Sequence, residues 1–417
     1  MALRSSSKRA GSYMPQPGGF SAFVPRALPP DPPIAWDPPL ISLLSRADQA
    51  LGRLDGTART LPNPELFVAM YVRREAVLSS QIEGTQSTLE DVLSYELDPT
   101  LPGVAPDVSE VINYIRAMDQ GLGLLKTLPV SNRLIREIHG VLVHDGRGAS
   151  KNPGQFRRSY VWIGGENASI GKATFVPAPK AEMEEAMADL ERFLNSDHGL
   201  PPLVTSGLAH AQFETIHPFE DGNGRIGRLL ITFLLTECGS IERPLLYLSV
   251  FLKAHRAEYY DRLTAVREDG DWEGWLRFFL RGVAETAEEA SRTAKAIVDL
   301  REEHRRRLQQ RAVHVGALRL LDSLFHLPLM NVKSAASVIK NTYQTANRLM
   351  QEFEELGIVR EITGYRRNRI FRYDPYLALF QEHGGQPAEI GELQSTEIAE
   401  PKDGDDDEMS APVSAAT

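Results

Sequence analysis

The sequence predicts a mainly α-helical protein with a β-hairpin in its middle and a winged helix-turn-helix near its end. Three observations support this fold class. Apolar residues recur at helical spacing through most of the chain before residue 310. Two β-prone runs flank a glycine-rich loop between Gly154 and Val176. Between residues 313 and 380, helical segments are followed by two short β-prone runs, the pattern of a winged helix.

Composition is that of an ordinary globular protein. The chain has 417 residues, of which 42% are hydrophobic, so two or three domains with packed cores are expected. The net charge of −10 argues against a protein-wide surface for nucleic acid but leaves room for a local basic patch. A single cysteine, Cys238, excludes a disulfide within the chain. No apolar run is long enough for a membrane span or a secretory signal, which predicts a cytoplasmic protein without membrane contact.

Changes in composition along the chain predict its organisation. The long charged helix from about Val283 to Gln310 would serve as a spacer or as a dimerisation element, which makes a homodimer one of the expected states. The predicted segments are an extended N-terminal arm (1–33), an N-terminal helical region (34–125), a central core (126–300), a linker helix (301–312), a winged helix-turn-helix (313–380) and a disordered acidic tail (381–417).

Twelve residues, His217 to Arg228, concentrate the groups expected of a phosphate site. Apolar runs on both sides predict a helix, a turn and a second helix. Pro218 would end the first helix near His217 and leave its imidazole at the helix end. The amides that follow would form the N-terminus of the next helix, where anions bind. Three glycines remove Cβ atoms where the backbone must turn or approach a ligand: Gly222, Gly224 and Gly227.

The polar side chains of this stretch suit transfer from a nucleoside triphosphate. His217 belongs to the residue type best placed to remove a hydroxyl proton near neutral pH. Asp221 supplies a hard oxygen for a phosphate-bound Mg²⁺. Arg225 and Arg228 can each bind a phosphate bidentately. Alone, each residue would more often cap a helix or face solvent, but their conjunction favours nucleotide chemistry.

The stretch resembles the motif of the Fic family, His-x-Phe-x-Asp/Glu-Gly-Asn-Gly-Arg-x-x-Arg, and matches every specified position. The resemblance covers about residues 35 to 300 and implies a Fic-type helical core. Family members mostly transfer AMP from ATP to a Ser, Thr or Tyr hydroxyl of a protein. By this resemblance, His217 is the base, Phe219 a core anchor, and Asp221 the Mg²⁺ ligand. Arg228 would bind the γ-phosphate, and the remaining ATP-binding residues would be Gly222, Asn223, Gly224, Arg225, Ile226 and Gly227.

Two further features extend this resemblance. The hairpin from Tyr160 to Val176 resembles the family's flap, which docks the target segment as an added strand. The docking residues would be Thr174, Phe175 and Val176. Tyr259 and Tyr260 resemble a pair near the adenine in some members, and the alternative is that both are core aromatics.

Ser79-x-x-x-Glu83-Gly84 resembles the family's inhibitory motif, Ser/Thr-x-x-x-Glu-Gly/Asn. It ends a predicted helix that runs from about Pro64 to Ser80. By the resemblance, Glu83 pairs with Arg228 and withdraws it from the γ-phosphate. The physical basis is competition between a carboxylate and a phosphate for one guanidinium. The alternative is that Glu83 is a surface carboxylate near a helix end.

The winged unit is predicted to contact DNA or protein. Its recognition helix would begin between Thr342 and Arg348, and arginines would line its wing. The candidate DNA contacts are Tyr343, Gln344, Arg348, Arg366 and Arg367. The alternative is that this module binds a protein or forms a dimer.

Together these features predict an autoinhibited protein adenylyltransferase that uses ATP and Mg²⁺. Its partners would be ATP, a protein substrate including itself, and DNA through the winged helix. Two other functions fit the same residues. The first is removal of AMP from a modified protein, with Glu83 positioning water. The second is a DNA-binding regulator whose Fic-like core senses nucleotide.

Overall fold

Helices dominate the described part of the chain, in agreement with the predicted fold class. The structure is a computed structural model that describes residues 7–60, 64–101, 103–164, 169–311, 315–365 and 368–380. The strands are β1 (Gly11–Gln16), β2 (Phe20–Pro25), β3 (Leu329–Asn331), β4 (Arg360–Glu361) and β5 (Ile370–Arg372).

The helices are numbered in chain order. The first eight are α1 (Pro38–Thr60), α2 (Pro64–Ile82), α3 (Leu89–Leu97), α4 (Val108–Leu124), α5 (Asn132–Leu142), α6 (Lys180–Leu194), α7 (Pro202–Ile216) and α8 (Asn223–Glu237). The others are α9 (Ser249–Ala254), α10 (Arg256–Asp269), α11 (Trp272–Gln310), α12 (Ala317–His326), α13 (Val332–Ile339), α14 (Tyr343–Glu355) and α15 (Asp374–Ala378).

Helices α7 and α8 form the centre of the core. Leu229 to Leu235 are all buried, as a sequence that is apolar nearly all round the helix predicts. Helices α2, α4, α5 and α7 pack around α8. The loop between α7 and α8 contains His217 to Gly222, so the predicted phosphate site lies at the N-terminal end of the buried helix α8.

The long charged helix is not a free spacer. Helix α11 begins at Trp272, eleven residues before the predicted start at Val283, and α1 packs along it. Its buried face carries small residues, which allow the close approach of α1: Ala284, Ala287, Ala290 and Ala294. Its far end packs on the C-terminal unit, where His304 Nδ1 lies 2.7 Å from the Tyr373 hydroxyl. The prediction of a spacer is therefore wrong, because an alanine stripe within the charged sequence buries the helix.

The N-terminal arm is a folded hairpin rather than an extended segment. Strands β1 and β2 pair antiparallel from Gly11 opposite Pro25 to Gln16 opposite Phe20. Phe23 is fully buried and packs edge-on against Tyr13, with ring centroids 5.2 Å apart. Phe20, Ala22 and Phe23 are apolar and buried, but the many Ser, Gly and Pro residues around them led the sequence analysis to predict an extended arm.

The predicted flap has less sheet structure than expected. One antiparallel bridge joins Ile163 to Phe175, and a short 3-10 turn spans Ile170–Lys172. Part of the glycine-rich loop, residues 165–168, lies outside the described residues. Among the described residues of the flap, its two sides share a single bridge, so neither side forms the longer strand that was expected. The other side of Phe175–Pro177 contacts β2 instead.

The C-terminal unit has the element order that a winged helix requires. Helix α12 is followed by β3, then by α13 and α14, and then by β4 and β5. The three strands form one sheet in the order β3-β5-β4. The unit packs on α2 and α3, where Arg372 pairs with Glu90 at 2.7 Å. The assignment as a winged helix-turn-helix and the domain boundaries stay predictions, and the predicted acidic tail, 381–417, lies outside the described residues.

Across the ranges that the structure describes, none of the helices combines the length and the apolar character that crossing a bilayer requires.

Arg9 fixes the N-terminal hairpin to the helical core. Its guanidinium donates to both Glu273 carboxylate oxygens at 2.7 Å and to the Gly270 carbonyl at 3.0 Å. It also donates to the carbonyls of Pro32 and Pro33, at 2.8 and 2.9 Å. Both side chains of the ion pair are mostly buried. Removal of Arg9 would therefore leave a carboxylate and three carbonyls without their donor.

We expect Arg9→Ala to lower the free energy of unfolding by about 3 kcal/mol, because a mostly buried carboxylate loses its partner. Chemical denaturation measures this change. The matched control is Lys8→Ala, at an exposed neighbouring position, which should change stability by less than about 0.5 kcal/mol. Equal stability of the two variants would contradict the anchoring role of Arg9.

Candidate active site

The loop between α7 and α8 brings the motif residues to one helix end. Helix α7 ends at Ile216, and His217 follows in the left-handed conformation, with φ 51° and ψ 61°. Gly222 also has a positive φ, 79°, immediately before α8. The two left-handed residues reverse the chain within six residues. The N–H groups of Gly224 and Arg225 lie in the first turn of α8, where no preceding helical carbonyl can accept from them.

Three side chains hold this loop in place. Asn223 accepts from the Phe219 N–H through Oδ1 and donates to the Phe219 carbonyl through Nδ2, both at 2.9 Å. Phe219 is fully buried, as predicted, and its ring stacks on His139 at 3.7 Å. His139 accepts from the Gly154 N–H through Nδ1, so its Nε2–H donates to the Asp221 carbonyl at 3.1 Å. Burial lowers the pKa of His139 to about 4, which keeps this tautomer neutral.

The His217 ring is oriented as a base requires. Its Nδ1 lies 3.4 Å from the Glu214 carbonyl, which can only accept, so Nδ1 carries the proton. The lone pair of Nε2 is then available to take up a proton. Burial lowers the pKa of His217 to about 4, so the ring is neutral at neutral pH.

Arg157 connects His217 to the flap. Its side chain is fully buried and donates through Nε to the His217 carbonyl at 2.9 Å and through Nη2 to the Ala178 carbonyl at 2.5 Å. Its own N–H donates to the Pro218 carbonyl at 2.9 Å. Ala178 follows the second side of the flap. One buried guanidinium therefore holds the histidine loop and the flap at a fixed separation.

Arg228 and the end of α2 form the predicted inhibitory contact. Arg228 Nη2 donates to Glu83 Oε1 at 2.7 Å, and Nε donates to the Ser79 hydroxyl at 2.7 Å. Nη2 also donates to the Ser79 carbonyl at 2.9 Å. The Arg228 side chain is 1% exposed and that of Glu83 33% exposed. Burial opposes the charges of both residues, but their mutual attraction keeps the pKa of Glu83 below and that of Arg228 above the usual range.

The Glu83 carboxylate also covers the N-terminus of α8. A Cβ built on Gly224 would lie 2.1 Å from Glu83 Oε1 and 3.0 Å from Arg228 Nη1. Gly224 therefore has no side chain because the carboxylate lies against its backbone. A carboxylate at a helix N-terminus is favoured by the helix dipole and by unpaired amides. Glu83 thus lies where the sequence predicts phosphate oxygens.

Two further buried carboxylates lie near Arg228. Glu75 lies four residues before Ser79 on α2, about one helical turn away. It accepts from the Ser249 and Tyr114 hydroxyls at 2.5 and 3.1 Å. Glu214 precedes His217 by one turn of α7, and within the described residues its Oε1 has no hydrogen-bond partner. Burial raises the pKa of Glu75, and it raises that of Glu214 to about 7. Arg228 thus lies in an acidic pocket in which Glu83 makes the direct ion pair.

Asp221 fits the predicted metal ligand. Its side chain is 37% exposed, and only Oδ1 is used, by the Gly222 N–H at 2.6 Å and by Arg225 at 3.5 Å. Oδ2 therefore remains for a cation. No cluster of three or more metal-binding side chains occurs in the described ranges. A single carboxylate suits Mg²⁺ that takes its other ligands from phosphates and water.

Arg225 points away from solvent. Its side chain is 4% exposed and pairs with the equally buried Glu110 at 3.2 Å. The second contact of Arg225, to Asp221, lies on the same side of the loop. Its guanidinium therefore orients Asp221, whereas the sequence analysis assigned it to the binding of a phosphate of ATP. Asn223 is likewise committed to Phe219, so its amide supports the loop and leaves only backbone groups for phosphate.

Three residues assigned to ATP lie in the core instead. Ile226 is fully buried. A Cβ on Gly227 would lie 2.4 Å from Glu214 Oε1, so this glycine permits close packing of α7 against α8. Tyr259 is 1% exposed and its hydroxyl lies 2.9 Å from His210 Nε2. Tyr260 is 40% exposed, so of the pair only Tyr260 can contact a nucleotide.

The predicted docking residues of the flap lie beside this site. Thr174 and Phe175 both donate their N–H groups to the Ile163 carbonyl, at 2.8 and 3.0 Å. Phe175 is buried below Arg267, whose guanidinium lies 4.2 Å from the ring centroid. Val176 is buried and its carbonyl accepts from Phe23. The inner side of the segment is therefore occupied, and docking would use the side of the flap that carries the exposed Trp162 and Ile163.

The candidate DNA contacts are divided between exposed and undescribed positions. Tyr343, Gln344 and Arg348 are exposed at the start of α14. Arg366 and Arg367 lie outside the described residues. Three other arginines of the wing are engaged within the protein: Arg360 and Arg372 with Asp374, and Arg369 with Asn347. DNA binding stays a prediction that rests on the exposed end of α14.

The comparisons with known proteins agree with this geometry. Residues 41–123 match the Fic/DOC family N-terminal domain, and residues 129–235 match the Fic/DOC family domain. The chain is 31% identical over 257 residues to protein adenylyltransferase Fic of Drosophila melanogaster, over 60% of this chain and 46% of that protein. It is 32% identical over 213 residues to the Drosophila virilis protein of the same name, over 50% and 39% of the two chains.

A Fic family protein from Desulfovibrio desulfuricans G20, of known crystal structure, has a similar fold. The TM-score is 0.54 at 20% identity, and the match covers 82% of this chain and 97% of that one. The chain therefore carries both Fic/DOC family domains and has the Fic fold. It spans about half the length of the curated relatives that it matches.

Glu214 gives the site a measurable pH dependence. A carboxyl whose pKa is raised by burial stabilises the fold while it is protonated, and this contribution is lost as the pH rises through about 7. Between about pH 5.5 and pH 8.5 we expect the wild type to lose roughly 2 kcal/mol more unfolding free energy than Glu214→Gln. Denaturation curves at both pH values measure this. If Glu214→Gln and the exposed control Glu185→Gln follow the wild type equally, Glu214 does not titrate as described.

Proposed function

We propose that the chain is an autoinhibited protein adenylyltransferase, which moves AMP from ATP to a Ser, Thr or Tyr hydroxyl of a protein. The observation that carries the proposal is the meeting of His217, the N-terminus of α8 and the Glu83–Arg228 pair at one end of one helix. The relatives named protein adenylyltransferase Fic support the same activity. Because the match covers only about half of those relatives, the substrates and partners of this chain are proposed along with its activity.

The proposed reaction is a displacement at the α-phosphorus of ATP. The oxygen of the target hydroxyl forms the new bond to phosphorus, and the bond to the bridging oxygen breaks to release pyrophosphate. The proton of the hydroxyl passes to Nε2 of His217, the nitrogen that the Glu214 carbonyl leaves unprotonated. The negative phosphates would raise the low pKa of His217 when ATP is bound, which improves it as a base.

The first turn of α8 would receive phosphate oxygens through its free amides, with Gly224 allowing close approach. Asp221 would hold Mg²⁺ through Oδ2, and the ion would neutralise charge on the phosphates. Arg225 would act indirectly, because its pairs with Glu110 and Asp221 fix the metal ligand. Tyr260 would contribute an exposed ring near the adenine of ATP.

Inhibition would follow from competition for Arg228. In this state its guanidinium is bound by Ser79 and Glu83, so a γ-phosphate could reach it only after Glu83 withdraws. The position of Glu83 beside Gly224 adds a second obstacle, because a phosphate bound at the first turn of α8 would lie against the carboxylate. Glu83 is the more exposed member of the pair and lies where α2 ends, so it can leave without unfolding the core.

We expect Glu83→Gly to increase AMP transfer by roughly tenfold or more, because Arg228 becomes available to the γ-phosphate. Transfer from ATP labelled at its α-phosphate, to the protein itself and to proteins of a cell lysate, measures the rate. The matched control is Glu83→Gly combined with His217→Ala, which should reduce labelling to background.

Two results would contradict the proposal. Robust labelling by the double variant would exclude His217 as the base. Labelling by Glu83→Gly that is no higher than that of the wild type would exclude inhibition by Glu83. Loss of AMP from an already adenylylated protein in the same assay would favour the reverse reaction as the physiological direction.

A further inference from the structure

We propose that the N-terminal hairpin, β1 and β2, holds the flap in position and thereby controls use of the protein substrate. This inference rests on the proposed function, since a flap position has consequences only if a target segment docks there. The hairpin precedes residue 41, where the family match begins, so it lies outside the matched Fic/DOC domains. Gln16 and Phe20 would be its positioning residues.

The flap has little support of its own. Among the flap residues that the structure describes, one bridge, between Ile163 and Phe175, joins its two sides. Ala173, Val176 and the half-buried Ile170 do not belong to the main core but to a small separate cluster, whose other members are Phe20 and Ala22 of the hairpin. The cluster is stabilised by burial of apolar side chains from the flap against those of β2. Without Phe20 and Ala22 the flap residues would lose this burial, so the flap depends on β2 for packing.

Direct contacts join the hairpin to both sides of the flap. On the second side, the Phe23 N–H donates to the Val176 carbonyl at 2.8 Å, and Phe23 bridges in parallel to Pro177. On the first side, the Tyr160 hydroxyl donates to Gln16 Oε1 at 2.7 Å. The Phe20 ring meets Tyr160 edge-on with centroids 5.2 Å apart. The hairpin therefore contacts both sides of the flap, and these contacts of Gln16, Phe20 and Phe23 are called the clasp.

The hairpin is itself firmly attached to the core, which a positioning element requires. Arg9 ties its base to Glu273 of α11 through two 2.7 Å bonds. The Gln212 amide of α7 donates to the Arg26 carbonyl at 2.8 Å, just beyond β2. Because α7 leads directly to His217, the hairpin relates the flap to the same helix that positions the base.

The surface that this clasp orients is apolar. Tyr160, Trp162 and Ile163 are 36%, 44% and 42% exposed on one side of the flap. Arg157 lies three residues before Tyr160 and donates to the His217 and Ala178 carbonyls, so it ties both ends of the flap to the loop that carries His217. The occupant that fits is an extended segment of the protein substrate with an apolar or aromatic side chain next to the modified hydroxyl.

The test uses the full chain with Glu83→Gly as the active parent. The variant Gln16→Ala/Phe20→Ala removes the contacts to Tyr160 and to the apolar cluster, and Ser12→Ala, exposed on β1, is the matched control. We expect labelling of lysate proteins to fall about tenfold, while ADP affinity by calorimetry stays within about twofold. Hydrogen exchange of residues 170–176 should become faster, because these residues lose their packing partner.

Two additional variants separate positioning from general instability. Phe20→Leu keeps an apolar side chain in the cluster and should restore most of the labelling. Gln16→Ala alone removes one hydrogen bond and should still reduce labelling, and it decides the question if the double variant fails to fold. Labelling and hydrogen exchange equal to those of the parent would overturn the inference, as would an equal loss of ADP affinity. If the parent itself labels nothing, the proposed function fails, whereas unchanged exchange in the hairpin variants would refute the clasp independently.

Discussion

The buried guanidinium of Arg228 is the constraint on which the site depends. A charged side chain that is 1% exposed must be paired and hydrogen-bonded, since an unpaired buried charge costs several kcal/mol. In this structure Ser79 and Glu83 of α2 satisfy it. The interaction that satisfies Arg228 is therefore the one that we propose obstructs the phosphate site. Under this proposal, activation requires a replacement partner of negative charge, which a γ-phosphate would supply.

The remaining machinery is already in place before nucleotide binds. His217 is in the tautomer that accepts a proton at Nε2, and Arg157 and Asn223 fix the loop that carries it. Such preorganisation means that little reorganisation is needed during the reaction. In the proposed mechanism Glu83 is the group that moves, and it lies where α2 ends. The proposed mechanism thus separates a preorganised catalytic loop from one removable carboxylate.

The sequence predicted what is contiguous and missed what is assembled from distant segments. The twelve-residue motif is a local pattern, so its turn between two helices followed from Pro218 and the glycines, whereas the pairing of Glu83 with Arg228 came from the family resemblance. Arg157, His139 and Glu110 act through contacts with residues about 60 to 115 positions away, which no local pattern contains. Buried Glu75 at four-residue spacing before Ser79 was a signal that could have been used. The N-terminal hairpin was missed because its short apolar run, Phe20 to Val24, lies among Ser, Gly and Pro residues that predict an extended arm.

The most direct test of the charge competition is the AMP-transfer rate of Glu83→Gln, measured beside the wild type and Glu83→Gly. The glutamine keeps the volume of Glu83 and can still hydrogen-bond Arg228, but it has no charge. If the carboxylate inhibits because it competes with phosphate for a guanidinium, this variant should be roughly tenfold more active than the wild type and approach Glu83→Gly. If it is as inactive as the wild type, the side chain inhibits by occupying space, and the ion pair is not the basis of the resting state.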